Sequence, residues 1–383
     1  MQIYLDYSAT TPCRPEAIAK MQEALTHQWG NPSSLHHWGE RAATLLEEAR
    51  YNVGQLINAP DNSISFTSGG TESNNIAIFG IAAQYSEPKH LIISSVEHSA
   101  ISQPARVLQR QGWKVSLLPV NQEGRISPEV LEKTIQDDTA LISIIYGQSE
   151  VGTIQPIAEL SAIAHQHGII FHTDAVQAAG RVPIDVQAHS IDLLSLSSHK
   201  IYGPQGAGAI YINPNIKLHS LVHGGGQEHG IRPGTQSIPS IAGFGTAADL
   251  AGQEMDTENQ RLTKLRELLF ENLAHCSYLI PTGDRSHRLP HHVSFAIKPE
   301  SGPFISGRDI VRVMNRAGIG ISAGSACNSG KTVPSSVLKA MGFGDELAKA
   351  GLRLTLGKQT TEQDIQIVTD KLQEIISQQL ETS

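Results

Sequence analysis

The chain has 383 residues, 39% of them hydrophobic and 17% charged, which is enough for two domains and a large core. Its formal net charge of -8 at pH 7 is the wrong sign for a nucleic-acid footprint, and no apolar run reaches membrane-spanning length. Three cysteines are too few for a disulfide framework, and residues 1–7 lack the basic and apolar regions of a signal peptide, so a cytoplasmic protein with free thiols is expected.

Residues 14 to 250 alternate strand and helix signals, as in a doubly wound parallel sheet. Strands are predicted at 64–66, 91–95, 114–118, 141–145, 168–172 and 191–196, with 206–212 returning as another and a helix over 156–167. An amphipathic helix over 247–273, with Leu262, Leu265, Leu269 and Leu273 on related faces, links this region to a smaller one. There, strands are predicted at 291–297 and 352–356, and a closing helix over 361–380. Thr361-Glu362-Gln363-Asp364 fits a capping box that starts it, or one shifted by a residue. The expected fold class is α/β, with a large domain over 14–255 whose mainly parallel sheet is flanked by helices. Residues 1–13 and 256–383 form a smaller α+β domain.

In such sheets ligands bind beyond the carboxyl ends of the strands, and the polar motifs of this chain follow its strands. Lys200 lies in Ser197-Ser198-His199-Lys200-Ile201-Tyr202-Gly203-Pro204, directly after a strand, and Asp174 ends another in Phe171-His172-Thr173-Asp174-Ala175. A lysine and an aspartate so placed are what pyridoxal phosphate requires. The lysine holds the aldehyde as a Schiff base, and the carboxylate keeps the pyridine nitrogen protonated so that the ring acts as an electron sink. Ser68-Gly69-Gly70-Thr71-Glu72-Ser73-Asn74-Asn75 follows a strand and opens a helix. It reads as a phosphate cradle, or as an ordinary Ser/Thr-capped helix. Ser197 and His199 could complete the cradle. His98, past the 91–95 strand, is placed to lie flat on the cofactor ring, or is a half-buried structural histidine. Gln177 is placed to bond the ring hydroxyl, or to cap a helix.

Arg353 sits in an otherwise apolar strand, where it suits bidentate capture of a substrate carboxylate or makes an internal salt bridge. Cys327 lies in Gly324-Ser325-Ala326-Cys327-Asn328-Ser329-Gly330, a small, polar stretch that reads as a mobile loop over 321–333. Reactive thiols are exposed whereas structural ones prefer apolar surroundings, so Cys327 is the candidate nucleophile and Cys13 and Cys276 read as structural. The glycine-rich run 223–235 matches no helical zinc motif; it reads as a loop placing Thr235 on a phosphate, across a dimer interface.

Together these motifs resemble the cysteine desulfurases of the class V aminotransferase family, in the branch with a long cysteine loop. The resemblance runs from Tyr4-Leu5-Asp6-Tyr7-Ser8-Ala9-Thr10-Thr11-Pro12 and Gly30-Asn31-Pro32-Ser33-Ser34 to Leu352-Arg353-Leu354-Thr355-Leu356-Gly357, nearly the whole chain. It implies a fold type I homodimer in which Lys200 binds the cofactor, Asp174 pairs its pyridinium and His98 stacks on its ring. It also implies phosphate binding by Gly70, Thr71, Ser197, His199 and Thr235, and capture of the substrate carboxylate by Asn31 and Arg353. Cys327 would take sulfur from L-cysteine as a persulfide, releasing alanine, for delivery to an acceptor protein in iron–sulfur cluster or thio-cofactor biosynthesis. Two departures stand out. Ser149 occupies a position where the family usually has asparagine, and the chain stops at Ser383, where some relatives carry a tail that docks an iron–sulfur scaffold. The alternatives are a pyridoxal-phosphate lyase acting on selenocysteine, cysteine sulfinate or cystine, with Cys327 dispensable, or a sulfur-transfer partner of negligible turnover.

Overall fold

A computed structural model describes residues 2–60, 62–298, 305–324 and 333–381. The chain opens with β1 (Ile3–Tyr4), α1 (Pro15–His27) and α2 (His37–Gln55). Then follow β2 (Ile64–Thr67), α3 (Gly70–Ala82), β3 (His90–Ser94), α4 (Ser99–Arg110), β4 (Lys114–Leu118), α5 (Pro128–Thr134) and β5 (Thr139–Ile145). Next come α6 (Ile157–Gln166), β6 (Ile170–Asp174), β7 (Leu193–Ser197), β8 (Gly208–Ile212) and α7 (Ile238–Leu273). The remainder holds β9 (Leu279–Pro281), β10 (His292–Ile297), α8 (Gly307–Arg316), β11 (Ile319–Gly320), β12 (Ser322–Ala323), α9 (Ser336–Ala340), α10 (Asp345–Lys349), β13 (Gly351–Thr355) and α11 (Glu362–Glu381).

The main sheet has the order β2-β8-β7-β6-β5-β3-β4. Strands β3 to β7 run parallel, and β8 is antiparallel to both β7 and β2. The stretch joining β7 to β8 is too short for a helical crossover, so the chain must return against β7. Strands β3 and β7 are buried along their whole length, which explains why they carry apolar residues on both faces. The strand expected at 168–172 begins two residues later, because Gly168, at a φ of +67°, closes α6 in the left-handed conformation.

Helix α7 starts well before the expected residue 247. Pro239 lies in its first turn, and its early turns carry Gly243 and Gly245, which weaken the local helix signal. Packing requires the second of these: a Cβ on Gly245 would sit 2.4 Å from Ala49 Cα on α2. Along α7 the partners change. Ala247, Ala248 and Met255 pack with the main-sheet core, whereas Leu262, Leu265 and Leu269 pack with Ile3, Leu5, Val293 and Leu354. This second core covers the antiparallel sheet β12-β13-β10-β9. The capping box at Thr361 forms: Thr361 N donates to Asp364 Oδ2 at 2.9 Å and Asp364 N to Thr361 Oγ1 at 3.2 Å. Among the described residues no helix is long and apolar enough to cross a membrane.

The loop carrying Thr235 is tied to the sheet by a buried ion pair. Arg50 Nη1 donates to Glu228 Oε2 at 2.7 Å, and Glu228 also accepts from Phe66 N at 2.8 Å and Gln236 Nε2 at 3.1 Å. Removing Glu228 leaves the Arg50 guanidinium buried with only the exposed Glu47 as its ion-pair partner. Glu228→Ala is therefore expected to destabilise the fold by about 3 kcal/mol, read from chemical denaturation midpoints; a loss below ~1 kcal/mol would show that the pair contributes little.

Candidate active site

Because β3, β5, β6 and β7 run parallel, the segments that follow them gather at one edge of the sheet. They line a cleft of about 360 Å³, within the range of small-molecule sites. His98, Ser149, Asp174, Gln177, Ser197, His199 and Lys200 reach it from these strand ends. Gly70 and Thr71 reach it from the start of α3, Ser8 and Ala9 from the N-terminal arm, and Arg353 from β13.

Asp174 is buried at the end of β6. Its Oδ2 accepts from Asn74 Nδ2 at 2.6 Å and its Oδ1 from Val176 N at 3.0 Å. Burial raises its pKa, and His98, Asn74, Val176 and Lys200 oppose that shift. No cation forms an ion pair with it among the described residues, so a ring N–H bearing positive charge is the partner this carboxylate lacks. The start of α3 suits an anion: Gly69 caps it without a side-chain hydrogen bond, leaving N–H groups free. This disfavours the Ser/Thr-capped alternative. A Cβ on Gly70 would lie 2.5 Å from Val176 Cγ2, so only glycine fits. His199 is neutral, with burial and then Lys200 lowering its pKa to about 4; its Nδ1 lies 3.1 Å from Thr10 Oγ1.

Lys200 Nζ donates to the carbonyl oxygens of Ser8 at 2.6 Å and Ala9 at 2.7 Å. Burial, then Arg353 and Arg181, lower its pKa to about 8. Gln177 Nε2 donates to Ser8 O at 2.9 Å, and its Oε1 is buried without a partner. This spare acceptor and the Asp174 carboxylate fit pyridoxal phosphate.

Arg353 makes the internal salt bridge that the sequence offered as the alternative. Its Nη2 donates to Asp6 Oδ1 at 2.6 Å and its Nη1 to Ser149 O at 3.1 Å, while Nε has no partner. It also lines the cleft, so a substrate carboxylate would have to share the fork with Asp6. The Ser149 carbonyl takes a second bond from His292 Nε2 at 3.0 Å. Gly152, at a φ of +78°, makes room for that ring: a Cβ there would lie 2.7 Å from it.

Asn31 and Thr235 do not line this cleft. Both are exposed, and Asn31 Oδ1 accepts from Ser33 N at 2.9 Å. Cys327 lies outside the described residues. Cys13 and Cys276 are half-buried free thiols whose pKa values burial pushes up, as unreactive thiols require. Asn74, Ser8 and Asp6 went unassigned in the sequence, although Ser8 and Asp6 stand in the N-terminal motif and Asn74 in the glycine motif. His291 and His292 gave no signal beyond their place in a strand.

A family model described as aminotransferase class-V matches residues 3–368. Cysteine desulfurase IscS of Dictyoglomus turgidum is 44% identical over 377 residues, covering 98% of this chain and 94% of that protein. The protein of the same name from Methanosarcina thermophila is 44% identical over 375 residues, covering 98% and 92%. Of solved structures, a NifS-like protein matches with a TM-score of 0.91 at 32% identity, covering 98% of this chain and 100% of its own. SspA in complex with cysteine matches with a TM-score of 0.82 at 33% identity, covering 93% and 99%.

Beside the cleft, Glu97 Oε1 accepts from Ser94 Oγ at 2.6 Å and Ile145 N at 2.8 Å, while its Oε2 has no partner. Burial, with Asp174 adding to it, raises its pKa from 4.5 to about 8. The folded chain therefore keeps a proton that the unfolded chain releases, and stability falls as pH rises from 4.5 to about 8. Glu97→Gln keeps a neutral group there. Its melting temperature is expected to exceed that of the parent by a few degrees above pH 8, with the gap closing near pH 5 in thermal scans; parallel pH profiles would show that Glu97 is ionised in the fold.

Proposed function

The chain belongs to the class-V aminotransferase family and is a pyridoxal-phosphate-dependent cysteine desulfurase, and we propose that the cleft around Asp174, Lys200 and Arg353 is where it desulfurates L-cysteine. The observation that carries this assignment is the buried Asp174 carboxylate, facing the same cleft as a lysine of depressed pKa and an uncapped helix start. When bound, the cofactor supplies an electron sink for the carbanion left as the C–S bond breaks.

The chain's own groups have separate tasks. Asp174 holds a proton on the ring nitrogen. The start of α3, with Gly70, Thr71, Ser197 and His199, takes the phosphate. His98 would stack on the ring, Gln177 Oε1 would accept from its hydroxyl, and Lys200 would hold the aldehyde and carry protons at Nζ. Arg353 receives the substrate carboxylate, with Asn31 assigned to the same group. Cys327 attacks the substrate sulfur, forming an S–S bond as the C–S bond breaks, and is left as a persulfide. The carbon takes a proton and leaves as alanine. The persulfide then passes to an acceptor protein in iron–sulfur cluster or thio-cofactor biosynthesis.

Two copies complete the site in this reading. Trp29, Leu35 and Trp38 expose large apolar faces, with Leu35 97% exposed, and Leu221 and Val222 do the same on the Thr235 loop. A homodimer would cover these patches and bring Thr235 of one copy to the phosphate of the other. A cytoplasmic location suits the reduced Cys327 thiol that the chemistry needs.

Three outcomes test the reading. In a single turnover with L-cysteine, peptide mass spectrometry is expected to find the persulfide on Cys327, with stoichiometric alanine. Alanine without that persulfide would overturn the role of Cys327. Lys200→Ala is expected to lose the visible band of the bound cofactor. Capture of pyridoxal phosphate by the apoprotein, followed by that band, should quicken with pH and level off above about 8, as Lys200 Nζ loses its proton. A rate independent of pH would assign the capture to another group.

A further inference from the structure

Ser8 has every polar atom engaged, and its partners come from both domains. Its amide donates to Thr355 Oγ1 at 2.9 Å, and its Oγ lies 3.0 Å from His291 Nε2. Both partners belong to the smaller sheet region: Thr355 ends β13, and His291 immediately precedes β10. The Ser8 carbonyl faces the other way. It accepts from Lys200 Nζ and from Gln177 Nε2, both on the main-sheet side of the cleft. Ser8 is 1% exposed and His291 0%, and of these contacts only the Lys200 bond is part-buried.

The imidazole of His291 is held neutral by burial and by nearby arginines, Arg181 foremost. Its Nδ1 has no partner. The Nε2–Ser8 Oγ hydrogen bond forms in either neutral tautomer, with the ring or the hydroxyl as donor. That bond anchors the Ser8 side chain and, with the Ser8 N–H bond to Thr355, restrains the backbone that carries the carbonyl.

We propose that His291 is a positioning residue that acts through Ser8. By holding the Ser8 carbonyl, it sets where Lys200 Nζ rests when not bonded to the cofactor, and it turns the Gln177 amide so that Oε1 is left for the cofactor. This rests on the assignment of the cleft as the pyridoxal-phosphate site. It also makes the cleft depend on the meeting of the two domains, since His291 and Lys200 belong to different ones.

The test uses the full chain as apoprotein and as holoenzyme. The parent is measured first. If it forms no alanine from L-cysteine, the assignment of the reaction fails, whatever His291 does. His291→Leu removes the hydrogen-bonding ring, whereas His291→Gln can place an amide group, donor or acceptor, near the position of Nε2. In His291→Leu, capture of pyridoxal phosphate and kcat should each fall by about tenfold, with KM for L-cysteine within about twofold, as loss of one hydrogen bond that sets a reactive amine implies. His291→Gln should recover both rates to within about twofold. Ser8→Ala, which keeps the carbonyl and loses only the hydroxyl, should reproduce the His291→Leu values; it carries the test if His291→Leu does not fold. Capture and turnover at parental rates in His291→Leu or Ser8→Ala would overturn the proposal. So would a His291→Gln variant as impaired as His291→Leu, which would give the ring a space-filling role only.

Discussion

A carboxylate buried at the end of a central strand is the constraint on which this site rests. Asp174 terminates β6 and is satisfied by one amide side chain and one backbone N–H. Two hydrogen bonds do not repay the loss of water around a full negative charge. The fold supplies no ion-pair partner among the described residues, and so presents a carboxylate poised for a cationic ring nitrogen. Asn74 holds it from α3, whose first turn also lines the cleft. The aspartate and the start of α3 are thus joined by one side chain.

The second organising feature is the N-terminal arm. Leu5 accepts from Thr355 N, Ser8 donates to Thr355 Oγ1, and Asp6 pairs with Arg353. Residues from the two ends of the chain therefore form one wall of the cleft. The same arm presents the carbonyls that receive Lys200 Nζ. The lysine on the main sheet and the arginine on the smaller one are joined through Asp6 and Ser8, though they are far apart in sequence. Helix α7 runs through both cores and holds the two sheets in one arrangement.

Proton economy follows from burial. Glu97 and His199 are both neutral near pH 7, the first because its pKa is raised and the second because its pKa is lowered. Lys200 sits close to its titration point. Desolvation is the largest cause in each case. Burial thus sets the protonation of one acid beside the cleft and of one imidazole and one amine within it.

The sheet strands were legible in the sequence because buried parallel strands read as unbroken apolar runs, and Lys200, Asp174 and Gly70 were legible because each interrupts such a pattern at a strand end or a helix start. The true start of α7 was not, since Gly243 and Gly245 lower helix propensity and are explained only by the contact with Ala49. Arg353 was recognised as an arginine out of place, but its partner, Asp6, lies at the other end of the chain. Ser8, His291 and His292 were invisible for the same reason: their roles consist of contacts between distant segments, and no local pattern encodes them. The amino-acid sequence by itself determined the fold class, the cofactor chemistry and the residues at the strand ends, because these depend on periodicity and on residue type at short range. Only the tertiary structure decided which carbonyl holds Lys200, what shares the Arg353 fork, and that Thr235 and Asn31 stand outside the cleft of a single chain, because hydrogen bonds between the two sheet regions are set by the packing of whole sheets and helices.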